Sequence, residues 1–203
     1  MSKDKMGARQ KKRGFPFSRI SAAALALIAL SSVPTIARHM EDHPALSQVA
    51  NAGSSARGRE TGLPVPRFVS LKARDARMRI GPSFDYGTKW IYLAPGLPME
   101  IVAEYGNWRQ VRDCDGVTGW MHSSLLSGKR TAIIGAWIEN PIALQASAST
   151  ASTVKAKLGA KVRLSLRACD NGWCRVNVTG HDVSGWLRQT SLCGTYPHER
   201  LEG

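Results

Sequence analysis

From Phe68 onward, short apolar segments recur about every 8 to 12 residues, bounded by Gly, Asn, Asp and Pro. That spacing predicts the strands of an all-β sandwich or barrel. Val69, Leu71 and Ala73 alternate with polar neighbours, which reads as a half-buried strand. Met78 and Ile80 continue the alternation up to the turn Gly81-Pro82-Ser83. A longer excursion, residues 84–94, carries Tyr86, Trp90 and Tyr92. Met99, Ile101 and Ala103 alternate next, then Gly106-Asn107 turns the chain into Trp108. Asp115-Gly116 is a hairpin signal. A second series follows: Ala136-Trp137-Ile138 leads in, and Ile142 and Leu144 alternate before a Ser/Ala/Thr-rich turn, Ser147 to Thr153. Val162, Leu164 and Leu166 read as a strand, and Asp170-Asn171-Gly172 as a turn. No segment after Phe68 has a convincing helical period.

The two series are copies of one pattern. Trp108-Arg109-Gln110-Val111 is followed by Gly119-Trp120 and then Ser124-Leu125. Trp173-Cys174-Arg175-Val176 is followed by Gly185-Trp186 and then Ser191-Leu192. Self-similarity at this scale points to two small β modules in tandem. Each is near the lower size limit for an independent core. Each holds about five short strands, so protecting the sheet edges favours a closed or nearly closed barrel.

The N-terminus has a different texture. Lys3, Lys5, Arg9, Lys11, Lys12, Arg13 and Arg19 precede a weakly apolar run from Ile20 to Val33, and Thr35-Ile36-Ala37 offers small residues for cleavage. This is the layout of a secretory signal peptide over residues 1–37. The run is short of the roughly 20 residues that span a bilayer. A membrane contact is expected only if the segment stays uncleaved. Residues 38–66 are rich in Gly, Ser, Ala, Pro and charge without a period, and read as a disordered linker. The expected domains are then 67–130 and 131–196, in a periplasmic protein.

Export changes what charge and cysteines mean. The chain carries +13, of which the signal segment holds +6. The remaining +7 is spread out, without the clustered stripe of a nucleic-acid binder. It suits an anionic partner such as a cell-wall polymer. The four cysteines favour disulfides. Cys169 and Cys174 flank the turn Asp170-Asn171-Gly172, so they can meet across a hairpin, which leaves Cys114 with Cys193. Four cysteines permit three pairings, and all stay open at this point. Zinc would want paired ligand spacings, and only one His, His181, lies near Cys169 and Cys174.

These residues resemble the bacterial SH3-like (SH3b) family. The opening motif stands here as Arg77-Met78-Arg79-Ile80-Gly81-Pro82-Ser83, with Arg77 where the family usually has Asn. In the second copy it reads Pro141-Ile142-Ala143-Leu144-Gln145-Ala146-Ser147, without Gly-Pro. The resemblance covers about residues 68–194 and is also similar to exported two-copy SH3-like proteins of alphaproteobacteria. It implies two tandem small SH3-like barrels. It also implies binding of peptidoglycan or another envelope component, because such domains often accompany cell-wall hydrolases. A periplasmic protein–protein adaptor is the alternative.

Catalytic chemistry finds little support. Cys114 with His122 is the best nucleophile–base candidate, yet no third orienting residue stands out. The His residues are scattered, and the carboxylates lie mostly in turns rather than as a pair. No catalytic residue, metal site or cofactor is expected. Trp108, Trp120, Trp173 and Trp186 recur at module positions and read first as packing. An exposed face that stacks on a sugar or peptide is the second reading. The expected ligand residues are Tyr86, Trp90, Tyr92 and Tyr105, with Arg79 and Arg109 supplying charge. Three of these aromatics lie in the long loop peculiar to the first copy, where binding residues concentrate. The expected partner is a cell-wall polymer or peptide, or a periplasmic protein.

Overall fold

The computed structural model describes residues 56–203. The expected signal peptide, and the linker up to residue 55, lie outside the described residues. The strands are β1 (Ala56–Arg57), β2 (Pro64–Val65), β3 (Arg67–Leu71), β4 (Ala76–Arg79), β5 (Thr88–Tyr92), β6 (Pro98–Tyr105), β7 (Trp108–Arg112), β8 (Thr118–His122) and β9 (Leu126–Ser127). They continue with β10 (Thr131–Ile134), β11 (Ile142–Gln145), β12 (Val154–Leu158), β13 (Arg163–Asp170), β14 (Trp173–Val178), β15 (Ser184–Arg188) and β16 (Leu192–Cys193). The only helical pieces among the described residues are single 3-10 turns, Ser123–Leu125 and Gln189–Ser191.

The fold is all-β and its two main sheets share one plan. The first sheet runs β5-β4-β8-β7-β6-β3-β9, and the second β12-β11-β15-β14-β13-β10-β16. Position by position the order is the same, and every pairing is antiparallel. The irregularities match as well. The register shifts between Ile101 and Ala103 on β6 and between Leu166 and Ala168 on β13. It shifts again between Met78 and Arg79 on β4 and between Leu144 and Gln145 on β11. Bulges of this kind bend a strand sharply, which lets a short sheet curl over its own core. The result is two tandem SH3-like barrels.

The Gly-Trp pair has a packing cause. A methyl on Gly119 would sit 2.5 Å from Met78 Cγ and 2.8 Å from the Arg79 carbonyl oxygen. On Gly185 it would sit 2.5 Å from the Gln145 carbonyl oxygen. Glycine is therefore what allows β4 to close against β8, and β11 against β15. Beyond it the alternation sends Met121 and Leu187 into the cores, and Trp120 and Trp186 to the outer faces.

The barrels are packed against each other. In β10, Ala132 and Ile134 belong to the second core while Ile133 belongs to the first. One strand thus serves both cores, because its two faces point into different barrels. A disulfide joins Cys114, in the β7–β8 turn, to Cys193 on β16, with Cα atoms 5.9 Å apart. Arg163 Nη1 donates to the Pro95 carbonyl at 2.7 Å, and the Tyr196 hydroxyl donates to Glu100 Oε1 at 2.9 Å. The Phe68 and Tyr196 rings lie 4.8 Å apart. The second disulfide, Cys169–Cys174, closes the β13–β14 hairpin where the two residues are direct partners.

Two segments differ from the sequence expectation. Trp90 and Tyr92 lie on β5 rather than in a loop, since Thr88 to Tyr92 is rich in β-branched and aromatic residues and pairs with β4. The chain before Phe68 is also ordered from Ala56: β1 and β2 pair, and their connection wraps the Glu104 carboxylate. That carboxylate accepts the Glu60 and Thr61 amides at 3.0 and 2.9 Å and the Thr61 hydroxyl at 2.8 Å. Arg67 Nη2 donates to it at 2.7 Å. A composition-based reading cannot foresee a partner about 40 residues away that organises a polar segment.

Candidate functional site: an aromatic platform on the first barrel

Trp108 opens β7 and His122 closes β8, and the register sets them opposite each other. Their rings meet edge to face with centroids 5.5 Å apart. Phe84, from the loop between β4 and β5, lies across both. It is 4.9 Å from the Trp108 ring in a T-shaped contact and 5.5 Å from the His122 ring in a stacked one. Such geometries suit aromatic quadrupoles. Trp108 is buried under these partners, yet Phe84 itself is 67 % exposed. The platform therefore offers a large apolar ring to solvent on a rigid base.

Charge and hydrogen bonding hold the loop in place. The Arg79 guanidinium lies 5.6 Å from the centre of the Phe84 ring. It also donates to the Tyr86 carbonyl at 2.5 Å. Tyr86 packs over Gly81, where a Cβ would come within 2.6 Å of its ring. Ser83 Oγ donates to Asp85 Oδ2 at 2.7 Å and accepts the Asp85 amide at 3.2 Å. On the far side, His122 Nδ1 accepts the Ser124 amide at 3.4 Å and hydrogen-bonds Ser124 Oγ at 2.8 Å. Ile80 and Tyr86 are exposed beside Phe84 in the sequence.

The structure divides the six expected ligand residues. Arg79 and Tyr86 stand at the platform. Tyr105 is exposed at the β6–β7 turn, opposite Trp108 in register. Trp90 is half-buried against the first core. Tyr92 is buried, and its hydroxyl donates to Asp113 Oδ2 at 2.8 Å. Burial first, then the Asp113 charge, pushes its pKa far above the usual tyrosine value. Asp113 Oδ1 in turn accepts the Asp115 and Val117 amides, which shapes the turn carrying Cys114. Arg109 is buried as well, 3.5 Å from Glu104. Tyr92 and Arg109 are thus packed into the barrel interior. The reason is strand alternation: Tyr92 shares a face with Trp90, and Arg109 with Val111.

The Glu104 cluster is structural. Its side chain is fully buried. Burial raises the carboxyl pKa, but Arg67, Thr61 and two backbone amides outweigh it and hold the value at about 2. The Cys114 sulfur is held in a disulfide, so in this state it is no thiol for His122 to activate as a base. Among the described residues, no three His, Cys, Asp or Glu side chains converge as metal ligands. The chemistry on offer is stacking, apolar contact and hydrogen bonding from His122.

The second barrel keeps the tryptophan and changes its cover. Trp173 stands opposite Arg188, whose guanidinium lies 4.2 Å from its ring centre. The β11–β12 connection there, Ala146 to Thr153, is Ser/Ala/Thr with no aromatic residue. Sequence reasoning does not single out Phe84, and it offers His122 only as a candidate base for Cys114. Alternation did carry a signal for His122, since it shares the outward face of β8 with Trp120.

Residues 72–128 match the family model of the bacterial SH3 domain. The matched segment runs from the end of β3 to the end of β9 and contains the whole aromatic platform. No curated protein matches the chain.

Proposed function

We propose that this chain, whose residues 72–128 carry a bacterial SH3 domain, is an exported, non-catalytic binding protein that docks peptidoglycan or another envelope component on its first barrel. The observation that carries this reading is the exposed Phe84 ring fixed on Trp108 and His122. A bacterial SH3 domain is in general a binding module, and two disulfides are compatible with an extracytoplasmic protein. The basic N-terminal segment followed by an apolar run supports export to the periplasm.

The platform fits a flat or extended ligand. Rings of this size bury apolar area without much loss of side-chain freedom, and Arg79 and His122 add polar contacts at the rim. Sedimentation with purified peptidoglycan tests the reading. The protein is expected to pellet with the wall and release no soluble fragments. Phe84→Ala is expected to stay in the supernatant while melting like the parent. Pelleting unchanged by Phe84→Ala would move the site elsewhere. Absence of pelleting at every salt concentration would leave an adaptor role, with the same platform facing a protein.

A further inference from the structure

We propose that the outer face of the second barrel is a separate binding site for an acidic sugar. The sheet register makes a checkerboard there. Trp173 faces Arg188 and, one step along the same face, Arg175 faces Trp186. The next pair is Asn177 with Ser184, and Ala168 lies across from Arg175 on β13. A groove of about 490 Å³ opens on this face, lined by Arg167, Ala168, Arg175, Asn177, Ser184 and Gly203.

The cations are particular to this copy. Arg167, Arg175 and Arg188 occupy the positions that Val102, Gln110 and His122 hold in the first barrel. Two barrels of one plan thus present different chemistry, aromatic in the first and cationic in the second. Arg167 and Arg175 are exposed, and among the described residues neither forms an ion pair with a side-chain carboxylate; the backbone of Gly203 packs against Arg167 at the groove wall. Asp170, the acid at the end of β13, is paired with Arg200 at 3.0 Å. Asp182 and Glu202 are exposed and form no ion pair with the groove arginines.

This combination selects one ligand class. Two planar guanidinium groups match a carboxylate in geometry as well as charge. Half-exposed Trp186, paired with Arg175 across the sheet at the edge of the groove, offers a surface for a pyranose ring. Asn177 and Ser184 supply neutral donors and acceptors for sugar hydroxyls. The occupant is a uronic-acid unit, its carboxylate met by Arg167 and Arg175, which both line the groove.

The test uses the full chain and three probes at low salt: hexagalacturonate, its fully methyl-esterified form, and polyphosphate. Hexagalacturonate is expected to bind and the ester is not. Arg167→Gln with Arg175→Gln is expected to weaken binding by about tenfold or more, a loss of about 1.4 kcal/mol. Arg74→Gln with Lys129→Gln removes the same charge from the first barrel and is expected to change it by less than about twofold. Trp186→Leu should weaken hexagalacturonate binding and leave polyphosphate binding alone. Ala168→Glu, which places a carboxylate in the groove, should abolish sugar binding and serves as a second reading should the double variant misfold. Phe84→Ala should leave all of this intact, which separates the site from that on the first barrel. The proposal is overturned by no binding of hexagalacturonate, by equal binding of the ester, or by control variants as damaging as the groove variants. Polyphosphate binding as tightly, with Trp186→Leu without effect on either probe, would also overturn it.

Discussion

Replacing Cys114 and Cys193 by Ala removes the covalent tie between the barrels. The bridge closes a loop of 79 residues, whereas Cys169–Cys174 closes one of 5. In the chain-entropy description, a cross-link stabilises by restricting the unfolded chain, more so for longer loops. That gives about 4–5 kcal/mol for the long loop and about 2 kcal/mol for the short one. Partly buried Cys114 and Cys193 also pack against the first core, so their loss adds a small packing cost. The assay is urea unfolding followed by tryptophan fluorescence, with both double variants at equal concentration. With a slope of about 2 kcal/mol per molar urea, the midpoint should fall by about 2 M for Cys114→Ala/Cys193→Ala and about 1 M for Cys169→Ala/Cys174→Ala. β10 places residues in both cores, so the transition should remain single. An inter-barrel variant no less stable than the hairpin variant would refute the reasoning. So would two separate transitions in the parent protein.

Four further outcomes concern the interior. Glu104→Gln strips Arg67 and Arg109 of their buried counter-charge and should cost about 3 kcal/mol, read by the same unfolding assay. Glu104 also sets an acid limit: its folded pKa of about 2 lies below the ordinary 4.5, so its contribution is full above pH 4.5 and is lost as pH falls toward 2. The parent should lose stability across that window by more than Glu104→Gln does, and parallel pH profiles would contradict this. Gly119→Ala should destabilise by about 2 kcal/mol or more because β4 must retreat from the added methyl, and a neutral effect on melting would count against the close approach. Tyr92→Phe leaves Asp113 without its hydroxyl partner and should cost about 1–2 kcal/mol, checked by urea unfolding; no loss would show the bond contributes nothing.

Much of this architecture was legible in the sequence because packing imposes periodicity. The Trp-x-x-Val and Gly-Trp positions recur since each is dictated by the same strand crossing, down to the glycine that lets β4 or β11 approach. The turn Asp170-Asn171-Gly172 likewise announces the hairpin that brings Cys169 to Cys174. The site was harder to read. Tyr92 and Trp90 look like loop aromatics until β5 is recognised as a strand, and then alternation sends Tyr92 inward. Phe84 follows Gly81-Pro82-Ser83 without a period, so only the folded loop brings it over Trp108 and His122. The order of residues 56–66 rests on Glu104, a contact no local pattern encodes.

An envelope ligand bound on the first barrel would sit on Phe84, Trp108 and His122. Titration of the isotope-labelled protein with soluble muropeptides, followed by nuclear magnetic resonance, tests this placement most directly. Concentration-dependent shifts are expected for the Trp108 indole N–H, the His122 ring and the amides of residues 80–87. The Trp173 signal in the second barrel should move less than that of Trp108 at every concentration. Shifts confined to the second barrel, or none at any concentration of muropeptide, would contradict it.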